Sequence, residues 1–448
     1  MEALLSVRGG LTPYWLLVAV AFLAALLLAW APGGRKGLAA GGFVLVGALI
    51  LGRAFFDPQS AEIALPVEGG WTPYGLLMAY GVLAGLILTR AMFGPGALKA
   101  GIAATIAGLL VGHVTWGLVM AGFLDSFVEP GWLFFLQPWL GGNTLYGAVF
   151  GALLGVLLYH LATRKAGRGS FLLLLDSLTP GACLALAAGR VAELFNGQGI
   201  GPEMENPALQ RFPFAVCTYA EEDYAFWQVC VWFWEALAAL ALFVALLFLI
   251  IRAKRRREPL SEGRLTGIFI IVLACSQIFL EQLRQDDCLR FGFVISFTQI
   301  AAAVTLAGAL LVRAIRRKGL SGKDFMRIGV VAAGLLTVIF CEFVFDKPQF
   351  YTALSIALLA QMALGAALLF WAPTKKSYAW RIPCALLLLG CGAAVTLLLG
   401  KLDVDIEMVL IYAVMALSLT VTATASLRFC RRDERLFIAA GRSEEAVQ

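Results

Sequence analysis

The chain carries little charge: only 14% of its 448 residues are Asp, Glu, Lys or Arg, against about 25% in an ordinary soluble domain. Its apolar fraction is 60%, where roughly 45–50% is usual, and the two together exclude a soluble fold. Histidine is scarcer still, with two residues, and the nine cysteines form no cluster at metal-ligand spacing. No metal site is therefore expected, and no cofactor is called for. The sequence also lacks a Gly-x-Ser-x-Gly elbow, a phosphate loop and a dinucleotide fingerprint, so the usual signatures of serine hydrolysis, nucleotide hydrolysis and nicotinamide chemistry are missing.

What the chain has in abundance is apolar runs of about 20 residues, the length a helix needs to cross a bilayer. Thirteen are read, near residues 12–31, 37–56, 73–92, 97–121, 140–161, 171–190, 228–251, 265–283, 291–313, 325–345, 351–371, 380–400 and 406–427. Backbone inside lipid must satisfy its own hydrogen bonds, so the expected fold is an all-α polytopic membrane protein with about 13 transmembrane helices. Every second connecting loop is basic, from Arg35 and Lys36 through the run Arg252–Arg257 to Arg431, Arg432 and Arg435. The intervening loops are acidic or neutral, as at Asp57, Glu62 and Glu68. Basic loops stay cytoplasmic, which predicts an outer N-terminus and a cytoplasmic C-terminus. The net charge of +6 then serves the cytoplasmic rim and its anionic lipids, and no nucleic-acid partner is implied.

Residues 9–56 and 69–116 align without a gap at an offset of 60, opening Gly9-Gly10-Leu11-Thr12-Pro13-Tyr14 and Gly69-Gly70-Trp71-Thr72-Pro73-Tyr74. Each unit reads as a helical hairpin with proline in its first turn, and two-span copies share one orientation rather than an inverted one. The repeat also favours a retained first span over a cleaved leader ending at Ala29 and Ala31. The long outer loop 191–227 is too apolar for a disordered tail and is expected to form a small cap. Cys217, Cys230 and Cys288 lie near the outer side and leave one disulfide among them open.

Ionisable groups inside a membrane are expensive, and each is a candidate for function. Arg190, Glu193 and Asn196 recur at a spacing of three; Gln277, Glu281 and Arg284 step by four and three along one expected face. With His113, Tyr146, Asp176 and Glu235 they are read as a polar cluster in the outer half of the bundle. Each also has a plainer reading. Arg190 with Glu193, or Glu281 with Arg284, makes a neutralised structural pair; His113 serves as a packing residue; Tyr146 and His160 suit an interface.

Several of these segments, in order, resemble the prolipoprotein diacylglyceryl transferase family. Gly189-Arg190-Val191-Ala192-Glu193-Leu194-Phe195-Asn196-Gly197-Gln198 stands where that family has a Gly-Arg-x-x-Asn-x-x-Asn-Gly-Glu segment. Tyr74-Gly75 resembles its first-helix Tyr-Gly, Gly141-Gly142 through Tyr146-Gly147 its Gly-Gly-x-x-x-His-Gly turn, Trp234-Glu235 its Tyr-Glu pair, and Glu281 to Asp286 its Glu-x-x-Arg-x-x-Asp stretch, with Asp176 and Gln299 also in place. The departures are Tyr146 for histidine, Glu193 for asparagine, Gln198 for glutamate, Gln277 for arginine and His113 for arginine, which the duplicate keeps as Arg53.

The resemblance implies a seven-helix transferase-like core within residues 61–318. It is preceded by a duplicate hairpin at 1–60 and followed by a four-helix extension at 319–430 and a cytoplasmic tail at 431–448. It implies transfer of a diacylglyceryl group from phosphatidylglycerol or a related glycerophospholipid to the lipobox cysteine of a prolipoprotein signal peptide, in a bacterial cytoplasmic membrane. Such chemistry needs a cationic clamp on phosphate and a route for the thiol proton. Arg190 is the expected clamp, assisted by Arg284; Tyr146 or His113 takes the proton; Glu281 or Glu193 orients the base or holds headgroup hydroxyls. Tyr74, Gly142, Asp176, Asn196, Gly197, Glu235 and Gln277 complete the expected substrate site. A non-catalytic lipid-binding or scaffold protein of the same fold, and a translocator, remain as the alternatives from other classes.

Overall fold

The computed structural model describes residues 73–121, 142–164, 170–221, 224–256, 262–285, 295–316, 347–370 and 378–401, with shorter pieces elsewhere. The span expected at 12–31, most of those at 37–56, 325–345 and 406–427, and the tail lie outside the described residues. The chain is mostly helical: α1 Pro73–Phe93, α2 Pro95–Ala121, α3 Leu145–Thr163, α4 Phe171–Glu193, α5 Val231–Arg256, α6 Arg264–Leu280, α7 Phe297–Arg316, α8 Tyr351–Phe370 and α9 Tyr378–Leu398. Among the described residues six helices are long and apolar enough to cross a membrane, as a polytopic membrane protein requires: Tyr74–Phe93, Pro95–Leu118, Leu145–Thr163, Phe171–Asn196, Val231–Arg255 and Arg264–Leu283. Each meets an expected span within a few residues.

Local chemistry sets where these helices begin. Pro73 and Pro95 open α1 and α2, where a missing N–H costs nothing, and Gly94 separates them at φ +88. The N-cap hydroxyl of Thr144 accepts from Gly147 N at 3.2 Å, and that of Ser170 accepts from Leu173 N at 3.2 Å.

Two compact units divide the chain. The first, drawn mainly from Met1–Ile200 and Pro207–Thr266, holds α1 to α5, with α1 packed on α4, α2 on α3 and α4 on α5. Small residues bring these pairs together. A Cβ on Gly151 would lie 2.3 Å from Ala107 O, and one on Gly155 2.4 Å from Ala103 O, so α3 meets α2 backbone to backbone along a Gly-xxx-Gly-xxx-Gly stripe that starts at Gly147. On the other seam Gly85 and Gly181 meet similarly, each Cβ falling 2.5 Å from the partner's carbonyl oxygen. In lipid, where leucine gains nothing by leaving the solvent, this close approach supplies the van der Waals contact that joins helices.

The expected cap is a sheet. Strand β4 (Ala215–Glu221) pairs antiparallel with β5 (Tyr224–Cys230); β1 (Leu5–Ser6) pairs with β4 through Ser6 and Cys217, and with β2 (Glu62–Ile63). A short strand β3, Ile200–Glu203, follows α4. The register places Cys217 opposite Trp227 and Val216 opposite Gln228. Alternation along a strand therefore puts Cys217 and Cys230 on opposite faces of the hairpin. Both are thiols, so the disulfide left open by the sequence does not join these two; Cys288 lies outside the described residues. Cys230 packs in a core cluster with Leu77, Phe195, Phe212 and Trp232, and its Sγ–H donates to Pro213 O at 2.8 Å.

The second unit, Gly201–Asn206 and Gly267–Arg432, contains most of α6, then a hairpin of β6 (Arg290–Phe291) and β7 (Ile295–Ser296), and the helices α7, α8 and α9. Helix α7 starts with a reciprocal capping box: Ser296 N donates to Gln299 Oε1 at 2.9 Å, and Gln299 N to Ser296 Oγ at 3.1 Å. Helices α8 and α9 pack as a hairpin, and Glu407 accepts from the backbone N–H groups of Gly400 and Lys401 just beyond it.

Two outcomes test this architecture. Gly151→Leu should cost about 3 kcal/mol or more, because its neighbour is unyielding backbone, and lower the detergent-solubilised Tm by roughly 5–10 °C. Burial pushes the Cys230 thiol above its usual range, so at pH 8 it should resist iodoacetamide in the native protein. After unfolding without reductant, mass spectrometry should find Cys217 and Cys230 both alkylated.

Candidate active site

Helix α4 runs from Ser170, at one end of the first unit, to Glu193 at the other. At its far end Arg190 is buried, 5% exposed. Its Nη1 contacts Glu193 Oε1 one turn later and lies 3.2 Å from Glu235 Oε2 in the first turns of α5. A planar guanidinium suits this role because it presents several donors in fixed directions. The spacing of three expected between Arg190 and Glu193 is thus realised as an ion pair, and Glu235 joins it from another helix.

Beyond Glu193 the helix tightens into a 3-10 turn, Leu194–Asn196, and stops at Gly197 with φ 64. Asn196 and Gly197 are exposed, so the expected continuation of the Arg190 face to Asn196 fails where the helix ends. Gly199, at φ +69, is needed there. A Cβ would meet Trp232 Cβ at 2.7 Å and Glu193 Oε2 at 2.9 Å, so glycine lets the Glu193 carboxylate lie over the backbone. Trp232 N donates to Gly199 O at 2.9 Å, which ties the start of α5 to the same turn. Tyr74 and Met78 of α1 pack on the apolar cluster beneath.

Alternation of the helices puts the last turns of α2 and the first of α3 at this same end. His113 is 1% exposed, and its Nδ1 lies 3.1 Å from Gly142 O. A carbonyl only accepts, so Nδ1 is the donor of this bond. Gly142 holds φ +84, and a Cβ there would lie 2.2 Å from Trp116 Cδ2. Thr144 N donates to Gly112 O at 3.1 Å, and Thr144 Oγ1 lies 2.5 Å from Thr115 Oγ1. These contacts latch the turn before α3 onto α2 and bury Tyr146, which is 2% exposed.

Asp176 is elsewhere. Fourteen residues separate it from Arg190, about 21 Å along the helix axis, so it does not belong to the cluster the sequence suggested. Its Oδ2 accepts from Gly263 N at 2.8 Å, and its Oδ1 from Thr266 N and Thr266 Oγ1, each at 2.8 Å. Gly263 precedes α6 and has no side chain to cap it, so α4 supplies the acceptor. Ser170 Oγ donates to Glu262 Oε2 at 2.5 Å beside it.

In the second unit Gln277, Glu281 and Arg284 are all buried, at 2%, 4% and 8% exposure. The single helical face expected for them breaks: α6 gives way to a 3-10 turn at Glu281–Leu283 and Arg284 is extended, at φ −80 and ψ 132. Gln299 Nε2 donates to Ile278 O at 3.0 Å and to Gln282 Oε1 at 2.8 Å, forming a polar layer beside them. Sequence inspection singled out Gln299 without its capping partner, although Ser296-x-x-Gln299 carries the capping-box signature. Thr115, Gly199 and Thr266 were missed because nothing in one sequence marks which turn they face.

These features define a polytopic helical membrane protein with a buried arginine–carboxylate centre at one end of its bundle. Residues 63–314, more than half of the chain, match the family model described as Prolipoprotein diacylglyceryl transferase, and the chain belongs to that family. It is 28% identical over 173 residues to the phosphatidylglycerol–prolipoprotein diacylglyceryl transferase of Synechocystis, a match spanning 38% of this chain and 59% of that relative. The enzyme of the same name from Synechococcus elongatus is 28% identical over 263 residues, covering 55% and 85%. That from Pseudomonas paraeruginosa is 26% identical over 276 residues, covering 58% and 96%.

The position of Asp176 makes a testable distinction. Asp176→Ala should cost about 2–4 kcal/mol, through buried donors left without an acceptor, and thermal denaturation will read it. Below the lowered Tm, KM for the lipid donor should stay within twofold of the parent protein.

Proposed function

We propose that the protein moves the diacylglyceryl group of a glycerophospholipid onto the cysteine thiol of a prolipoprotein lipobox, at the outer leaflet of a bacterial cytoplasmic membrane. The sulfur bonds to the glyceryl carbon, the carbon–oxygen bond to phosphate breaks, and the headgroup phosphate leaves with that oxygen while the thiol proton passes to a base. Family membership and the relatives' names support this reaction. The single observation that carries it is Arg190, a cation buried at the end of an apolar bundle, where the phosphate of a lipid entering from one leaflet would arrive.

In this reading Arg190 stabilises the leaving phosphate as charge builds on it. His113, anchored through Nδ1 on Gly142 O, or Tyr146 takes the thiol proton. Tyr74 shapes the same end, and Glu193 and Glu235 orient Arg190. We assign the seven-helix core to residues 61–318, with the duplicate hairpin before it and the 319–430 extension after it, in a thirteen-span chain whose N-terminus is outside. A second reading is favoured by the double ion pairing of Arg190: a guanidinium neutralised on two sides also suits a purely structural role in a non-catalytic lipid-binding relative.

Purified protein, labelled phospholipid and a lipobox peptide separate the two. Arg190→Ala leaves buried carboxylates uncompensated, at a cost of about 3–5 kcal/mol, so Arg190→Lys is the informative variant. Lysine keeps the charge but loses the bidentate fork, and transfer should fall by one to two decades, corresponding to roughly 1.5–3 kcal/mol, with the fold retained. An unchanged rate in Arg190→Lys, or no transfer by the parent protein, overturns the transferase reading.

A further inference from the structure

Trp232, the second residue of α5, is 1% exposed. Its Nε1–H is buried, and among the described residues it meets no acceptor. A buried indole N–H ordinarily finds a partner, and inside an apolar bundle no bulk water replaces one. The backbone of the same residue is fully engaged, since Trp232 N donates to Gly199 O at 2.9 Å. The indole is therefore held in place while its one polar group is left over.

The surroundings of this N–H decide which acceptor suits it. Phe212 stacks on the indole with ring centroids 6.2 Å apart, Phe233 stands across it at 82°, and Leu77, Leu194, Phe195 and Val216 close the cluster. A neutral donor among apolar side chains fits a neutral acceptor that arrives attached to hydrocarbon; an anion would give up its solvation there for a single neutral bond. The cluster also borders the ion triad. Trp232 and Glu235 lie three apart on α5 and so share a face, and Trp232 Cβ and Glu193 Oε2 flank the same bare Cα at Gly199. Val191, next to Arg190 in the chain, packs with Tyr74 and Met78 at the partly buried edge of the cluster. A lipid whose phosphate lies at Arg190 therefore has the start of its acyl chains over this edge, and its ester carbonyls are the acceptors that fall between.

We propose that Trp232 is a specificity-determining contact that donates its Nε1–H to an acyl ester carbonyl of the lipid donor, so that the site takes ester-linked glycerophospholipids in preference to ether-linked ones. This rests on the transferase reading above. The carbonyl takes no part in the reaction: in both lipid classes sulfur bonds to the same glyceryl carbon and the same carbon–oxygen bond to phosphate breaks. A difference in rate between them reports recognition of the carbonyl rather than a change in the chemistry.

The test uses the full chain in dodecyl maltoside micelles, free of other ester lipids, with a lipobox peptide and glyceryl-labelled diacyl or dialkyl phosphatidylglycerol of equal chain length. In parallel, calorimetry reads the binding of short-chain forms of both lipids. The diacyl lipid should transfer about tenfold faster and bind about tenfold tighter, because a site built around a hydrogen bond rejects the analogue that cannot make it. Trp232→Phe, which keeps an aromatic ring and removes the N–H, should bring both ratios within about twofold of unity. Each is a ratio within one preparation, so it does not move with the fraction folded. Equal transfer from the two lipids by the parent protein, or a ratio that Trp232→Phe leaves unmoved, overturns the carbonyl contact while the transferase reading stands. Absence of transfer from either lipid, with a binding preference that Trp232→Phe removes, overturns the transferase reading and supports the contact. Absence of transfer with no binding preference, or with one that Trp232→Phe leaves in place, overturns the two together.

Discussion

A guanidinium removed from water inside an apolar helical bundle costs several kcal/mol unless charge and hydrogen bonds offset the loss, and much of the first unit is arranged around meeting that demand at Arg190. Glu193 answers from the same helix, one turn on. Glu235 answers from α5, and it reaches Arg190 only because the chain leaves α4 at a glycine in the left-handed region, passes through the β4–β5 hairpin and enters α5 immediately after Cys230. Gly199 gives Glu193 the room it needs, and the Trp232-to-Gly199 hydrogen bond draws the start of α5 to the end of α4. The ion triad is therefore the joint between two helices.

What was legible in the sequence follows from how local each constraint is. Spans depend on the length and apolarity of a single segment, so the six long apolar helices among the described residues were foreseen, and the Arg190–Glu193 pair follows from a spacing of three on one helix. The partnership with Glu235 was not legible, since it depends on how a hairpin of fourteen strand residues returns the chain. Asp176 was misplaced for an instructive reason: its charge drew it into the polar cluster, although it lies five residues into α4, at the end opposite Arg190. The pairing of the cysteines was left open, because proximity in sequence to the outer side says nothing about the strand face on which a thiol points. Arg284 was assigned to a helical face that ends one 3-10 turn earlier. The resemblance to the family rested on ordered short segments, and those survive because the turns they encode, at Gly142 and Gly197, require glycine at positive φ.

The two ends of α4 are held in different ways. At one end Asp176 accepts three hydrogen bonds from residues 263–266 and is 3% exposed, so it fixes the start of α6 in a setting that admits no substitute without a stability cost. At the other end the triad has a graded exposure, from Glu235 at 1% to Glu193 at 13%. Loss of Glu235 would strip a fully enclosed partner from a buried cation, whereas loss of charge at Glu193 is eased by the solvent at its edge. Position 193 is thus the member of the triad at which the charge can change without dismantling the bundle. It is also the position where this chain carries a glutamate in place of the asparagine its family segment would have. Of the three, Glu193 is the neighbour of the arginine that the fold leaves closest to water.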